Sequence, residues 1–133
     1  MISLFADSWY YIALLLKSDQ AHADVIAFTK NLDAKVFTTA WVLTEVANML
    51  SAPRFRSEFL SLLDDLEMNQ NVVVVGPDRQ IFRQGIELYR SRADKEWSLT
   101  DCISFVVMSR EKLTDVLTND RHFEQAGFKT LFE

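Results

Sequence analysis

The chain of 133 residues has a single cysteine, Cys102. An internal disulfide framework is therefore excluded, as is a metal cage built from thiolates. Two prolines and three glycines are too few for a collagen-like or low-complexity chain. No apolar run approaches the roughly 20 residues that cross a bilayer. The longest near the start, Trp9 to Leu16, lacks a basic leader and has no small-residue cleavage site after it. The expectation is a cytoplasmic protein. A basic excess is missing too, since 14 Lys and Arg stand against 19 Asp and Glu, a formal charge of −5. Coating a duplex depends on neutralising many phosphates, so this balance speaks against it. It does not speak against an enzyme that holds metal ions between its carboxylates and a phosphate. With four acids gathered in one such site, the remaining 15 would nearly balance the 14 bases. Where the acids lie matters more than their sum.

What is present is apolar material, 49% of the residues, enough to bury one sizeable core. The length suits one domain, residues 1–133. Short apolar runs alternate with amphipathic segments. Ile2 to Ala6 reads as a strand, and Asp7-Ser8 opens a helix through Leu16. A second helix is expected from Gln20 to Leu32, a strand over Lys35 to Thr38, and helices over Ala40 to Leu50 and Arg56 to Met68. Val72 to Val75, stopped by Gly76-Pro77, reads as a buried strand. Asp78 to Arg92 is amphipathic, whereas Leu99 to Met108 is apolar almost all round and so reads as an internal helix. Leu113 to Thr118 and Lys129 to Phe132 are the last expected strands, with a helical turn over Asp120 to Gln125 between them. Strands alternating with helices require crossovers, hence an α/β fold: a three-layer α/β/α sandwich on a five-stranded parallel sheet. Ligands of such sheets sit outside the carboxyl ends of the strands.

Four carboxylates occupy or border those ends. Asp7 follows the first strand, Glu45 lies one turn into the helix after the second, Asp101 opens the internal helix, and Asp120 follows the Leu113 to Thr118 strand. Each aspartate also has a local explanation, because Asp is a preferred helix N-cap worth about 1 kcal/mol. Ser98-Leu99-Thr100-Asp101 resembles a capping box, and Thr118-Asn119-Asp120 a turn followed by a cap. Glu45 lies beyond the first turn, since Thr38-Thr39-Ala40 supplies earlier caps, and it borders an apolar face with Val42 and Met49. A carboxylate there needs solvent or a cation. Gathered together, such groups repel and titrate as a set, and a divalent ion relieves the repulsion. Oxygen donors favour Mg²⁺ or Mn²⁺ over zinc. An ion held so can activate water and clamp a phosphate during in-line displacement, which suits phosphodiester hydrolysis without a nucleophilic side chain.

The same residues carry a family resemblance over essentially the whole chain. Phe5-Ala6-Asp7-Ser8, Thr44-Glu45-Val46, Leu99-Thr100-Asp101-Cys102-Ile103-Ser104 and Leu117-Thr118-Asn119-Asp120-Arg121-His122-Phe123 resemble the motifs of PIN-domain ribonucleases, most closely VapC-type toxins of bacterial toxin–antitoxin pairs. The last two stretches are the specific ones. By that resemblance Asp7, Glu45, Asp101 and Asp120 match the family's four acids. Asp7 and Asp101 would be the principal Mg²⁺ ligands, and Glu45 and Asp120 would complete the pocket directly or through water. Thr118 matches the hydroxyl residue near the fourth acid. The resemblance also implies strand order 3-2-1-4-5, a homodimer, a cognate antitoxin that blocks the site, and RNA (tRNA, rRNA or mRNA) as substrate. Two other readings stand beside the nuclease: a non-catalytic PIN module binding RNA or protein, and, last, a receiver-like pocket. The receiver needs a Lys after a late strand, whereas Lys129 begins one.

Cys102, inside the apolar helix, reads as a small hydrophobe and not as a nucleophile. His22 and His122 lack a ligand spacing, and His122 reads equally as a substrate contact or as a surface or packing residue. Trp9, Tyr10, Tyr11 and Phe123 are expected in the core before any role in stacking on bases. Arg54 and Arg56, and the group Arg79, Arg83, Arg90, Arg92 and Lys95, read as solvated helix faces; Phe55, Phe59 and Leu60 offer a weak partner groove.

Overall fold

The computed structural model describes all 133 residues. The elements run β1 (Ile2–Ala6), α1 (Ser8–Leu15), α2 (His22–Lys30), β2 (Ala34–Thr39), α3 (Ala40–Met49) and α4 (Pro53–Met68). They continue with β3 (Val72–Val75), α5 (Arg79–Ser91), α6 (Leu99–Arg110), β4 (Asp115–Leu117), α7 (Arg121–Gln125) and β5 (Lys129–Thr130). All strand pairs are parallel, in the order β3-β2-β1-β4-β5. Right-handed crossovers then carry α1 to α4 over one face and α5 to α7 over the other, because the chain reverses direction across the sheet after β3. The expected five-stranded sandwich and its strand order are what the chain forms. No helix is long and apolar enough to cross a membrane.

Several boundaries differ from those read in the sequence, each for a local reason. The helix expected from Gln20 starts at His22, because Asp19 turns the chain first: its carboxylate accepts the Ala21 N–H at 2.9 Å and its carbonyl the His22 N–H at 3.0 Å. Helix α4 begins at Pro53 and not at Arg56, since proline fits a first helical turn, where no N–H is needed. Strand β4 is shorter than Leu113 to Thr118. A left-handed Lys112 at φ 57° ends α6, and only Asp115 and Val116 find partners in β5. The four valines of β3 are half-buried instead of buried, because the strand lies at the edge of the sheet.

Helix α6 is internal, as its sequence requires, with Cys102, Ile103, Phe105, Val107 and Met108 all buried. It packs closely on α5 at Gly85. A Cβ there would lie 2.5 Å from Ile103 Cγ1 and 3.4 Å from Ile103 Cα. Ile103 is β-branched, fully buried and stiff at χ1, so it cannot swing aside. Gly85→Ala should therefore destabilise the fold by about 1–3 kcal/mol despite alanine's better helix propensity. A denaturant titration giving equal or greater stability would show that the two helices part freely.

Candidate metal centre

The sheet brings the first and last acids together. In the parallel register Ala6 pairs with Leu117, so Asp7 and Thr118 leave the carboxyl ends of β1 and β4 side by side. The Thr118 hydroxyl donates to Asp7 Oδ2 at 3.1 Å, and both residues are buried. Asp7 stands at the N-cap position of α1, yet its side chain makes no capping bond. The local explanation fails for this residue. Thr118 Oγ1 also accepts the Asp120 N–H at 3.2 Å, which fixes the start of the next turn.

For the other two aspartates capping and the cleft coexist. Asp101 and Ser98 form the full capping box: Ser98 Oγ accepts the Asp101 N–H at 3.0 Å, and Asp101 Oδ2 accepts the Ser98 N–H at 3.1 Å. Asp120 caps α7 by accepting the His122 N–H at 2.9 Å. Thr39 caps α3, taking the Val42 N–H at 3.0 Å, which leaves Glu45 in the second turn as expected. Glu45 is half-buried and accepts a hydrogen bond from the Ser8 hydroxyl. Asp7, Glu45, Asp101 and Asp120 all line one open cleft of about 530 Å³, with Trp9, Asp19, Asn119 and Arg121 also on its walls.

The cleft is electrostatically unbalanced. Burial, with the charges of Asp101 and Glu45, raises the Asp7 carboxyl from 3.8 to about 7 against the opposing Ser8 N–H and Thr118 hydroxyl. Asp101 is raised as well, by burial and then by Asp120, while the Ser98 N–H and His122 oppose the rise. No Lys or Arg pairs with any of the four acids; the arginine ion pairs, Arg90–Glu87 and Arg92–Asp94, lie elsewhere on the surface. Four oxygen donors, two of them raised by burial and none ion-paired to Arg121 on the cleft wall, fit a hard divalent ion.

The tightest grouping is one that sequence reasoning undervalued. Donor atoms of Asp101, Asp120 and His122 all lie within 4.8 Å of one another. His122 Nδ1 is 3.2 Å from Asp101 Oδ2 and 3.5 Å from Asp120 Oδ1. His122 is half-buried and turned toward these two carboxylates. No periodicity could reveal it, because its partner Asp101 lies on a different element, 21 residues away. Ser8 was legible only as the neighbour of Asp7. Cys102 remains outside the chemistry: burial, then the Asp101 charge, pushes its thiol up to about 11. Tyr10, Tyr11 and Phe123 are core residues, while Trp9 is half-buried and lines the cleft.

Comparison with known families gives one match, the PIN domain, over residues 5–129. The chain belongs to the PIN domain family. Solved structures share its PIN fold over nearly their whole lengths. One is VapC20 of Mycobacterium tuberculosis, a sarcin–ricin loop cleaving toxin, at TM-score 0.84 and 22% identity, covering 94% of this chain and 95% of the other. FitAcB from Neisseria gonorrhoeae matches at TM-score 0.67 and 17% identity, over 97% and 96% of the two chains. VapBC2 from Rickettsia felis, bound to a DNA fragment from its promoter, matches at TM-score 0.65 and 14% identity, over 98% and 97%. A sequence comparison with curated proteins finds no match. At these identities the likeness establishes the PIN fold, and the site must be argued from this chain's own residues.

Proposed function

We propose that this PIN domain is a Mg²⁺-dependent endoribonuclease of the VapC toxin type, with Mn²⁺ as a substitute ion and a cognate antitoxin as its inhibitor. The observation that carries the reading is the convergence of Asp7, Glu45, Asp101 and Asp120 on one cleft, with Asp7 buried and raised to about 7 and no Lys or Arg ion-paired to any of the four. Such a cluster destabilises the chain unless a cation serves it. Asp7 and Asp101 are the principal ligands, and Asp120 completes the pocket directly or through water. A divalent ion bound there supplies Lewis acidity toward a phosphate oxygen and lowers the pKa of water. Glu45, oriented by the Ser8 hydroxyl, is placed to accept the proton of the attacking water. Thr118 holds Asp7 in one rotamer, so the ligand does not have to be ordered on binding. Attack at phosphorus opposite the leaving ribose oxygen then breaks the strand. The homodimer rests on the VapC reading alone, while the antitoxin is also supported by fold neighbours that are toxin–antitoxin complexes, VapBC2 and FitAcB.

The test is cleavage of a tRNA and ribosomal RNA pool by the purified chain in Mg²⁺, Mn²⁺ or chelator. Ribosomal RNA belongs in the pool because VapC20 cleaves the sarcin–ricin loop. Discrete fragments are expected with either ion, none with chelator, and at least a ~100-fold loss in Asp101→Asn. Undiminished cleavage under exhaustive chelation would sink the metal mechanism. Folded protein that binds RNA and cleaves none of it in any metal would instead be the non-catalytic module.

A further inference from the structure

We infer that His122 is a direct ligand of the ion in this cleft, making the centre a mixed oxygen and nitrogen site that selects Mn²⁺ over Mg²⁺. The inference rests on the metal-dependent reading and goes beyond its four acids. Adjacent donors of a six-coordinate ion with bonds of about 2.1 Å lie about 3.0 Å apart, the edge of an octahedron. His122 Nδ1 sits 3.2 Å from Asp101 Oδ2, a hydrogen-bond contact that a bound ion would replace, and 3.5 Å from Asp120 Oδ1, both separations near such an edge. The donor atoms of all three residues lie within 4.8 Å of one another, so modest side-chain shifts would bring them onto one ion.

The local structure fixes this nitrogen in place. Asp120 caps α7 through the His122 N–H, so the residue that brings one carboxylate also positions the imidazole. Asp101 is held from the other side by the Ser98 capping box. Between them, Phe123 is fully buried and anchors α7 to the core. The imidazole is only partly exposed, 24% at the side chain. The second histidine takes no part: His22 Nδ1 is engaged with the Ala13 carbonyl at 2.7 Å.

The consequence is ion preference. Mg²⁺ takes oxygen ligands almost exclusively, whereas an imidazole nitrogen favours the transition metals. An all-carboxylate cleft would discriminate weakly; one with a nitrogen in the first coordination sphere should bind Mn²⁺ at least 10-fold more tightly than Mg²⁺.

The decisive experiment is pulsed electron paramagnetic resonance on the full, unmutated chain loaded with one equivalent of Mn²⁺. Nitrogen modulation is expected, and it should change isotope pattern when the chain carries ¹⁵N-histidine. The same labelled signal should survive His22→Gln and vanish in His122→Gln. Calorimetry should show His122→Gln losing Mn²⁺ affinity by about 10-fold or more, with Mg²⁺ affinity changed far less. Bound Mn²⁺ without histidine nitrogen coupling would overturn the inference and leave the nuclease standing. Failure to bind Mn²⁺ at all would overturn both. The labelled signal in His22→Gln leaves His122 as its only histidine source, so misfolding of His122→Gln cannot obscure the answer.

Discussion

Asp7→Asn should abolish cleavage and at the same time make the metal-free protein more stable. With Asp7 as a principal ligand in the proposed mechanism, its loss removes several kcal/mol of transition-state stabilisation, a fall of about 10³-fold or more in rate. The stability gain follows from the raised carboxyl. In the folded chain Asp7 titrates at about 7, against 3.8 when unfolded. Between those values the folded state keeps a proton that the unfolded state has released, so stability falls as pH rises from about 4 to about 7. Below pH 4 both states are protonated and no penalty exists. Above 7 the penalty is complete. At roughly 1.4 kcal/mol per unit its ceiling is about 4 kcal/mol, and a net gain of about 1–3 kcal/mol is expected for the asparagine. Thermal melts in chelator should show the variant ahead by about 4–10 °C at pH 8, converging with the parent chain near pH 4. Added Mg²⁺ reverses the order, because only the parent chain gains binding energy, about 2.7 kcal/mol at a hundredfold excess over Kd. A variant less stable than its parent at pH 8 without metal would mean that the Asp7 charge is already compensated by the protein.

Phe123→Ala should produce the largest loss of stability and carry the metal centre with it. The ring is fully buried and meets Phe105 edge to face, with centroids 4.9 Å apart at 88°. Phe105 in turn contacts Trp97 and Phe128, so the deletion opens a cavity inside an aromatic cluster. Such truncations cost about 3–5 kcal/mol, a fall of about 10–20 °C in a domain of this size. Helix α7 has five residues, too few to persist unaided. Its anchor is Phe123, flanked by His122 and one turn from Asp120. Ion affinity measured on the fraction still folded should therefore drop as well. Phe123→Leu, which keeps most of the volume, should recover most of both properties. A midpoint unchanged to within a few degrees in Phe123→Ala would show that α7 is held by its hydrogen bonds alone.

Most of the architecture was legible in the chain because it is written in local terms. Helix α6 announces itself by being apolar all round, and β3 by four consecutive valines closed by Gly76-Pro77. Alternation of the two element types then leaves a parallel sheet as the economical solution. Boundaries were less legible where one residue overrides periodicity, as the Asp19 side chain does before α2 and the left-handed backbone of Lys112 does before β4. The edge position of β3 could not be read from its own valines, since burial there depends on which strands stand beside it.

The acids show the same division. Sequence alone marked Asp7, Glu45, Asp101 and Asp120 as residues at or near the carboxyl ends of strands, and Thr38-Thr39-Ala40 as the stretch whose caps leave Glu45 beyond the first turn. It left open whether each aspartate was merely a cap, because a capping carboxylate and a ligand carboxylate occupy the same place in a motif. Tertiary structure shows which of them cap and which cleft they share. Parallel pairing of β1 with β4 turned Asp7 away from its own helix toward Thr118, 111 residues distant, while Asp101 and Asp120 cap their helices and face the cleft as well. It also placed His122 beside Asp101, which no spacing foretells. Local sequence fixes φ, ψ and the side a residue faces; distances between side chains on different elements arise only when the sheet register and the packing of α6 and α7 are set.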